Sequence, residues 1–282
     1  MRIMLFGRGG QVGWELERAL GVLGPLIAFD RDQVDLRDAA ALAHAIRSNP
    51  PDVIVNAAAY TAVDAAETAT DDANALNALA PKVMAEEALR SNALLIHYST
   101  DYVFDGASAA PYREDASTNP VNVYGRTKLA GEEAIIGSGA RHVILRTSWV
   151  FGAHGQNFVR TMRKLAAERS ELRVVADQFG APTYARHLAA ATLAILARAG
   201  ATNGVFHATA ADSTSWFEFA QAIVRASALS TSIVPITTAE FPRPAKRPSN
   251  SRLDCARLKR TYGIELPSWQ SGLAQCLAEM GD

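Results

Sequence analysis

Tyr124 and Lys128 stand four residues apart at the start of a segment with helical spacing, which places both on one face, a single turn from each other. A free phenol ionises near 10, too high for efficient proton exchange at neutral pH, whereas a neighbouring ammonium favours the phenolate and brings the pKa toward the working range. The pair is suited to moving a proton on or off an oxygen bound to carbon. With seven tyrosines and so few lysines, chance alone gives this helical spacing in roughly one chain in eight. A third residue therefore has to decide. Thr100 follows Tyr98 and Ser99 at the C-terminal end of a predicted strand, where open α/β sheets leave their ligand crevice. A hydroxyl there can hydrogen-bond a carbonyl oxygen held beside the phenol, so Tyr124, Lys128 and Thr100 are the candidate catalytic set for carbonyl reduction.

Carbonyl reduction needs a hydride source, and the N-terminus carries one signature for it. Gly7, Gly10 and Gly13 follow the first apolar run and open the first helix. A tight turn, a backbone able to approach a pyrophosphate, and close helix–strand packing each exclude a side chain at these points. The helix N-terminus adds N–H donors for phosphate. Asp30 ends the second predicted strand, near the offset of an acid that binds the adenosine ribose. Asp30 favours NADH, but the adjacent Arg31 can hold the 2′-phosphate of NADPH, so the choice stays open. Small residues at Asn56–Ala59 end the third strand and permit close approach of the cofactor; helix packing is the plainer explanation of the same alanines.

The elements that position these residues are legible as an alternation. Apolar runs at Ile3–Phe6, Leu26–Phe29, Val53–Asn56, Leu94–Tyr98 and Val143–Leu145 alternate with helical spacings such as Val12–Leu20 and Val83–Ser91. That rhythm predicts a doubly wound parallel α/β sheet of Rossmann type. After Trp149 glycine, proline and polar clusters become common. Ser215 and Glu218 have capping-box spacing, Asp254 and Trp269 open two more helix-like segments, and Val205–His207 reads as another buried strand. Residues 1–149 are thus expected to form a dinucleotide-binding domain. Residues 150–282 are expected to form a smaller, partly interwoven substrate-binding domain with segments returning to the first.

Composition removes several alternatives. Across 282 residues the formal net charge is −1, so neither nucleic acid nor an anionic membrane is an expected partner. Cys255 and Cys276 lack metal or redox spacing, and the six histidines show no zinc motif, so no catalytic metal is expected. No apolar run is long enough for a membrane span or signal core, and a cytoplasmic protein is expected.

Seven segments together resemble the extended short-chain dehydrogenase/reductase superfamily and, within it, the dTDP-4-dehydrorhamnose reductases. They are Gly7–Leu16 (GRGGQVGWEL), Asp52–Asp64 (DVIVNAAAYTAVD), His97–Phe104 (HYSTDYVF), Asn122–Glu132 (NVYGRTKLAGE), Arg146–Val150 (RTSWV), Asp177–Thr183 (DQFGAPT) and Arg247–Asp254 (RPSNSRLD). The resemblance implies NADPH- or NADH-dependent reduction of the 4-keto group of dTDP-4-dehydro-6-deoxy-L-mannose to dTDP-L-rhamnose, for cell-surface polysaccharide. It makes Tyr124 the proton donor, Lys128 its pKa-lowering partner and Thr100 the assisting hydroxyl. It assigns Gly10, Gln11, Val12, Asp30, Asp35, Leu36, Ala59, Tyr60 and Thr61 to the cofactor, and Thr100, Asp101 and Trp149 to the sugar nucleotide, with a core role for Trp149 as the alternative. Another nucleotide-sugar reductase or epimerase, or a dinucleotide-binding regulatory subunit, are the competing readings. The dehydratases it resembles carry Thr-Asp-Glu, whereas Tyr102 follows Asp101 here. Some members are homodimers bridged by magnesium on acidic residues. Glu15 and Glu279 lie in matching contexts, but Arg186 stands where another acid is expected, so the sequence leaves magnesium and the homodimer open.

Overall fold

The computed structural model describes residues 1–198, 200 and 202–281. The apolar runs become β1 (Ile3–Phe6), β2 (Leu26–Phe29), β3 (Val53–Asn56), β4 (Leu94–Thr100) and β5 (His142–Thr147), and the strand Gly204–His207 returns from the C-terminal half to pair with β5. The six-stranded sheet has the order Gly204–His207, β5, β4, β3, β1, β2, and its pairings are parallel. β4 runs two residues beyond its apolar stretch because Ser99 and Thr100 still pair with Arg146 and Thr147. From β1 the chain goes to β2 on one side and then crosses to β3 on the other, so a crevice opens beyond the C-terminal ends of β1 and β3.

Alternation along each strand divides the core. Ile3, Leu5, Val53, Val55, Leu94 and Ile96 meet Leu16 and Leu20 of α1 (Gln11–Leu20) and Leu188 and Ile195 of the helix Ala185–Leu196. Met4, Phe6, Ile54, Leu95 and Ile144 meet Leu42 and Ile46 of α2 (Ala39–Ser48), Met84 of the helix Ala80–Ser91 and Ile135 of the helix Val123–Gly137. Each such fully buried aliphatic side chain contributes about 1.5–3 kcal/mol, so covering both faces sets the register of the whole layer. Side-chain caps start the helices: Asp38 Oδ1 accepts from the Ala40 and Ala41 N–H groups at 2.9 and 3.0 Å.

The C-terminal half has its own core, built round Phe151, Val159, Phe219, Ile223, Trp269 and Leu273. Ser215 and Glu218 form the expected capping box on the helix Trp216–Ala226. Asp254 accepts from Ala256 N–H at 2.8 Å at the start of the helix Ala256–Tyr262, and Trp269 opens the helix Trp269–Glu279. A parallel pair not anticipated from the sequence joins Glu171–Val175 to Ser232–Ile236; Glu171–Val175 alternates, and Ser232–Ile236 carries a proline that masks its strand character. Both cysteines are free thiols. Among the described residues no helix is long and apolar enough to cross a membrane.

Candidate active site

A cavity of about 810 Å³ occupies the crevice between β1 and β3. Its floor is the glycine turn. Gly7 has a φ of 87°, and a Cβ there would lie 2.7 Å from Ala58 N; a Cβ on Gly13 would lie 1.9 Å from the Gly7 carbonyl oxygen. Neither position accepts a side chain. A Cβ on Gly9 would meet nothing within 4 Å, and one on Gly10 only the Gly7 oxygen at 3.4 Å, so the space over these two glycines belongs to the cavity. Such a bare backbone at the head of α1 fits a pyrophosphate. Gly7, Gly10, Gln11 and Val12 line the cavity, whereas Gly13 does not. Gly13 sits behind them, at the point where helix meets turn.

The far wall is acidic and basic by turns. Asp30, Arg31, Asp35 and Leu36 line it together with Arg37. Asp30 Oδ1 accepts from the Asp32 and Gln33 N–H groups at 3.0 and 3.2 Å, which orders the turn. Arg37 grips Asp35 through Nε and Nη2, the latter at 2.7 Å, and these hydrogen bonds hold its carboxyl down at about 2. Arg37 also reaches Asp72 at 3.3 Å. Sequence reasoning missed Arg37, because an arginine two residues after an acid has no special spacing.

Ala59, Tyr60 and Thr61 continue the lining, followed by Tyr124 and Lys128. A turn of π-helix at Ala75–Leu79 sets the loop at Tyr60. Buried Asn77 accepts from Tyr60 N–H at 2.8 Å and donates to the Tyr60 carbonyl at 3.2 Å and to Thr127 Oγ1 at 3.1 Å. The wide turn also lets the helix Val123–Gly137 approach closely, since a Cβ on Gly131 would lie 2.1 Å from the Asn77 carbonyl oxygen. Asn77 was not singled out from the sequence; an asparagine inside an alanine-rich run is a weak signal.

Asn122 starts the catalytic helix by accepting from Gly125 N–H at 2.8 Å. The Tyr124 phenol lies against the Thr100 hydroxyl, which in turn donates to Asp101 Oδ1 at 2.9 Å. Burial pushes the phenol up to about 12, with Thr100 lowering it and the Asp101 carboxylate raising it. The Lys128 nitrogen donates to the Tyr98 carbonyl at 2.6 Å and sits 3.1 Å from His97 Nε2, so its hydrogen bonds run to β4 and it acts on the phenol through its charge alone. Burial lowers Lys128 to about 8, opposed by Glu132. A phenol of high pKa is fully protonated at neutral pH, which is the form a proton donor needs. Burial likewise raises Asp101 to about 6, against the hydroxyls of Ser251 and Thr100; the Arg247–Asp254 segment thereby reaches the reacting end.

Thr100, Asp101 and Trp149 do not line this cavity. Thr100 and Asp101 lie just behind Tyr124. Trp149, with a φ of 47°, is stacked on Trp216 at 3.6 Å and leaves no room for a Cβ on Gly180, which would lie 2.5 Å from its ring. It is half-buried against the C-terminal half of the chain, and not a purely core position. From the second half, Val150, Gly155 and Gln156 also reach the cavity.

The magnesium site suggested by the resemblance does not fit this chain. Arg186 places its guanidinium between Glu15 and Glu279, 3.1 Å from Glu15 Oε2, and Tyr184 donates to Glu279. A cation already fills the space between the two carboxylates. Among the described residues no cluster of three or more His, Cys, Asp or Glu residues is placed to hold a metal.

The family model described as "RmlD substrate binding domain" matches residues 1–281. A dTDP-4-dehydrorhamnose reductase of Burkholderia thailandensis is 48% identical, with 99% of each chain covered. That of Escherichia coli K12 is 44% identical over 99% of this chain and 98% of the relative. Among solved structures, a dTDP-4-dehydrorhamnose reductase from Clostridium acetobutylicum superposes with a TM-score of 0.96 at 37% identity, covering 100% of both chains. One from Bacillus anthracis in complex with NADP gives 0.95 at 34%, covering 99% of both. The turn that accepts no side chain at Gly7 and Gly13, the paired Tyr124 and Lys128, and these full-length matches agree, and the chain belongs to the RmlD substrate binding domain family.

Proposed function

We propose that this chain reduces the 4-keto group of dTDP-4-dehydro-6-deoxy-L-mannose to the alcohol, giving dTDP-L-rhamnose, with NADPH or NADH as reductant. The observation that carries the reading is one cavity with the bare glycine turn at one end and Tyr124, backed by Thr100, at the other. The names of the full-length relatives support the substrate, and the NADP in the Bacillus anthracis structure supports the cofactor.

A dinucleotide held in this cavity would supply the hydride for C4 of the sugar. The chain's own residues do the rest. Tyr124 Oη gives its proton to the oxygen as the carbon–oxygen double bond becomes single, so hydride and proton together make the alcohol. The Thr100 hydroxyl, beside the phenol, hydrogen-bonds the sugar's C4 oxygen and keeps it aligned with Tyr124. Lys128, when protonated, offsets the negative charge left on Tyr124. Gly10, Gln11 and Val12 would hold the pyrophosphate, Asp30, Arg31, Asp35 and Leu36 the adenosine end, and Ala59, Tyr60 and Thr61 the middle. Asp101, behind Tyr124, and Trp149 would bound the sugar-nucleotide side, with residues 150–282 forming most of it. The edge-on packing of Tyr102 against Tyr124, at 5.7 Å, puts a phenol where a dehydratase would need a carboxylate base.

The test is oxidation of NADPH and of NADH by the purified chain in the presence of the dTDP-4-keto sugar, with the product sugar identified by NMR. Formation of dTDP-L-rhamnose is expected. Turnover to a 4-keto epimer, with no cofactor consumed, would replace this reading by an epimerase.

A further inference from the structure

His97 lies on β4, where alternation turns Leu95, His97 and Ser99 toward the helix Val123–Gly137. It is fully buried between Asn56 and Lys128. Asn56 Nδ2 is 3.0 Å from Nδ1, and the orientation of that amide is set by Ala58 N–H donating to its Oδ1 at 3.1 Å. On the other side Lys128 Nζ is 3.1 Å from Nε2. A neutral imidazole carries one N–H and one lone pair. Were Lys128 an ammonium, donors would face both ring nitrogens, and one of them would point at the imidazole's own proton. Turning the Asn56 amide only moves the conflict to Ala58 N–H. One arrangement removes it: Nδ1 accepts from Asn56, Nε2–H donates to the lysine nitrogen, and the lysine donates to the Tyr98 carbonyl.

We infer that His97 is a positioning residue for Lys128: held by Asn56 as the Nε2–H tautomer, it donates to the lysine nitrogen and favours the neutral amine over the ammonium. The inference rests on the reading of Lys128 as part of the reacting set. Burial acts in the same direction, since it lowers Lys128 to about 8 and keeps His97 neutral. Opposing it is Glu132, one turn along the same helix, but that carboxylate is spent on Arg146 of β5, at 2.6 Å, and on the Ser99 hydroxyl. Of the other acids on elements packed against the helix, Asp64 is held by Arg243 and Arg247, Asp72 by Arg37 and Glu87 by Arg47, while Asp71 and Glu86 are exposed to solvent. Glu67 accepts from Val123 N–H at the helix start, and Asp101 lies on the Tyr124 side with Thr100. The consequence is kinetic. Lys128 steadies the Tyr124 phenolate only while protonated, so His97 sets the pH at which that help fades.

The experiment labels the lysine Cε atoms with 13C and follows their NMR shifts against pH. The chain has five lysines, at 82, 128, 164, 246 and 259, and Lys128→Arg identifies the Lys128 signal by its loss. That signal is expected to titrate at or below about pH 8, well under the free-lysine value of about 10.4. His97→Gln offers the ammonium a carbonyl, so the midpoint should rise by at least about one pH unit, a tenfold gain in proton affinity, and the alkaline limb of kcat should move the same way. Asn56→Asp reaches the same end by another route, because its carboxylate draws the proton to Nδ1 and leaves Nε2 to accept. It serves if His97→Gln does not fold. A wild-type Lys128 midpoint at the free-lysine value of about 10.4, or a midpoint unmoved in the folded variants, overturns the inference. The titration needs neither substrate nor cofactor, so it can fail while the reductase reading stands, and the reverse.

Discussion

Arg186 Nε donates to Glu15 Oε2 at 3.1 Å, and the carboxylate it meets is 4% exposed. Because Glu15 lies on α1 and Arg186 on the helix Ala185–Leu196, the pair fastens a helix of the N-terminal half to one of the C-terminal half. Arg186→Ala leaves the Glu15 charge buried without a partner. The loss should be about 1–3 kcal/mol, below the range for fully buried pairs because the arginine is partly exposed. Urea unfolding reads it directly. Since the arginine takes the metal's place, EDTA should change neither the melting temperature nor the sedimentation of the wild type, and a chelator-induced change in either would contradict the assignment.

The glycines of the turn should separate by phenotype. Gly13→Val forces a Cβ into the Gly7 carbonyl and should destabilise the fold itself. Gly10 has an ordinary extended backbone and open space before it, so Gly10→Val should keep its melting temperature within a few degrees and lose the dinucleotide. Calorimetric titration with NADPH on the folded variant checks this; unchanged affinity would move the pyrophosphate elsewhere.

The fold was legible where apolar runs and side-chain caps speak the same language. Ile3–Phe6, Leu26–Phe29 and Val53–Asn56 have the bounds expected from their apolar runs; the first and third are buried throughout, which leaves no polar positions to blur their ends. The reacting residues were legible for a different reason, since Tyr124 and Lys128 need only one helical turn to meet the same cavity. What stayed hidden depends on contacts distant in sequence. Neither Asn77 nor His97 has a local pattern, and the orientation of Lys128 toward Tyr98 rather than toward Tyr124 is decided by the pairing of helix and strand. Trp149 was ambiguous because its stacking partner, Trp216, lies 67 residues away in sequence.

Cofactor choice should turn on Arg31. It lines the adenosine end beside Asp30, while Arg37 is engaged by Asp35 and Asp72. A 2′-phosphate therefore has Arg31 as its natural partner. Arg31→Ala should weaken NADPH roughly tenfold or more and NADH little, the scale of one charge-assisted hydrogen bond. Equal losses in KM for both would remove Arg31 from the 2′-phosphate site.

Asp101 carries a pH dependence of known sign. It ionises at 3.8 in an ordinary environment and at about 6 in the fold. Between those values the unfolded chain has released a proton that the folded chain keeps, so stability falls as pH rises through the window and levels off above it. The full effect is at most about 3 kcal/mol. Asp101→Asn should flatten this slope and raise stability at neutral pH, where the buried charge is removed. Urea unfolding of both proteins from about pH 4 to about pH 7 makes the comparison, and parallel curves would show that Asp101 is not the group responsible.

Tyr124→Phe isolates the proton transfer. The ring, its edge-on contact with Tyr102 and the cavity wall remain, and the hydroxyl that lies against Thr100 is deleted. Dinucleotide affinity should therefore change little, because the pyrophosphate and adenosine sites are untouched. Hydride transfer should slow by roughly 10²–10⁴-fold, the range for loss of a positioned general acid. Thr100→Val should cost less, since it removes one neutral hydrogen bond, and its phenol should become harder to ionise because Thr100 is what lowers it. Single-turnover reduction at saturating cofactor and sugar nucleotide separates chemistry from binding. A wild-type rate in Tyr124→Phe would transfer the proton-donor role to another group at the same end of the cavity, with Asp101, whose carboxyl titrates at about 6, the first to examine.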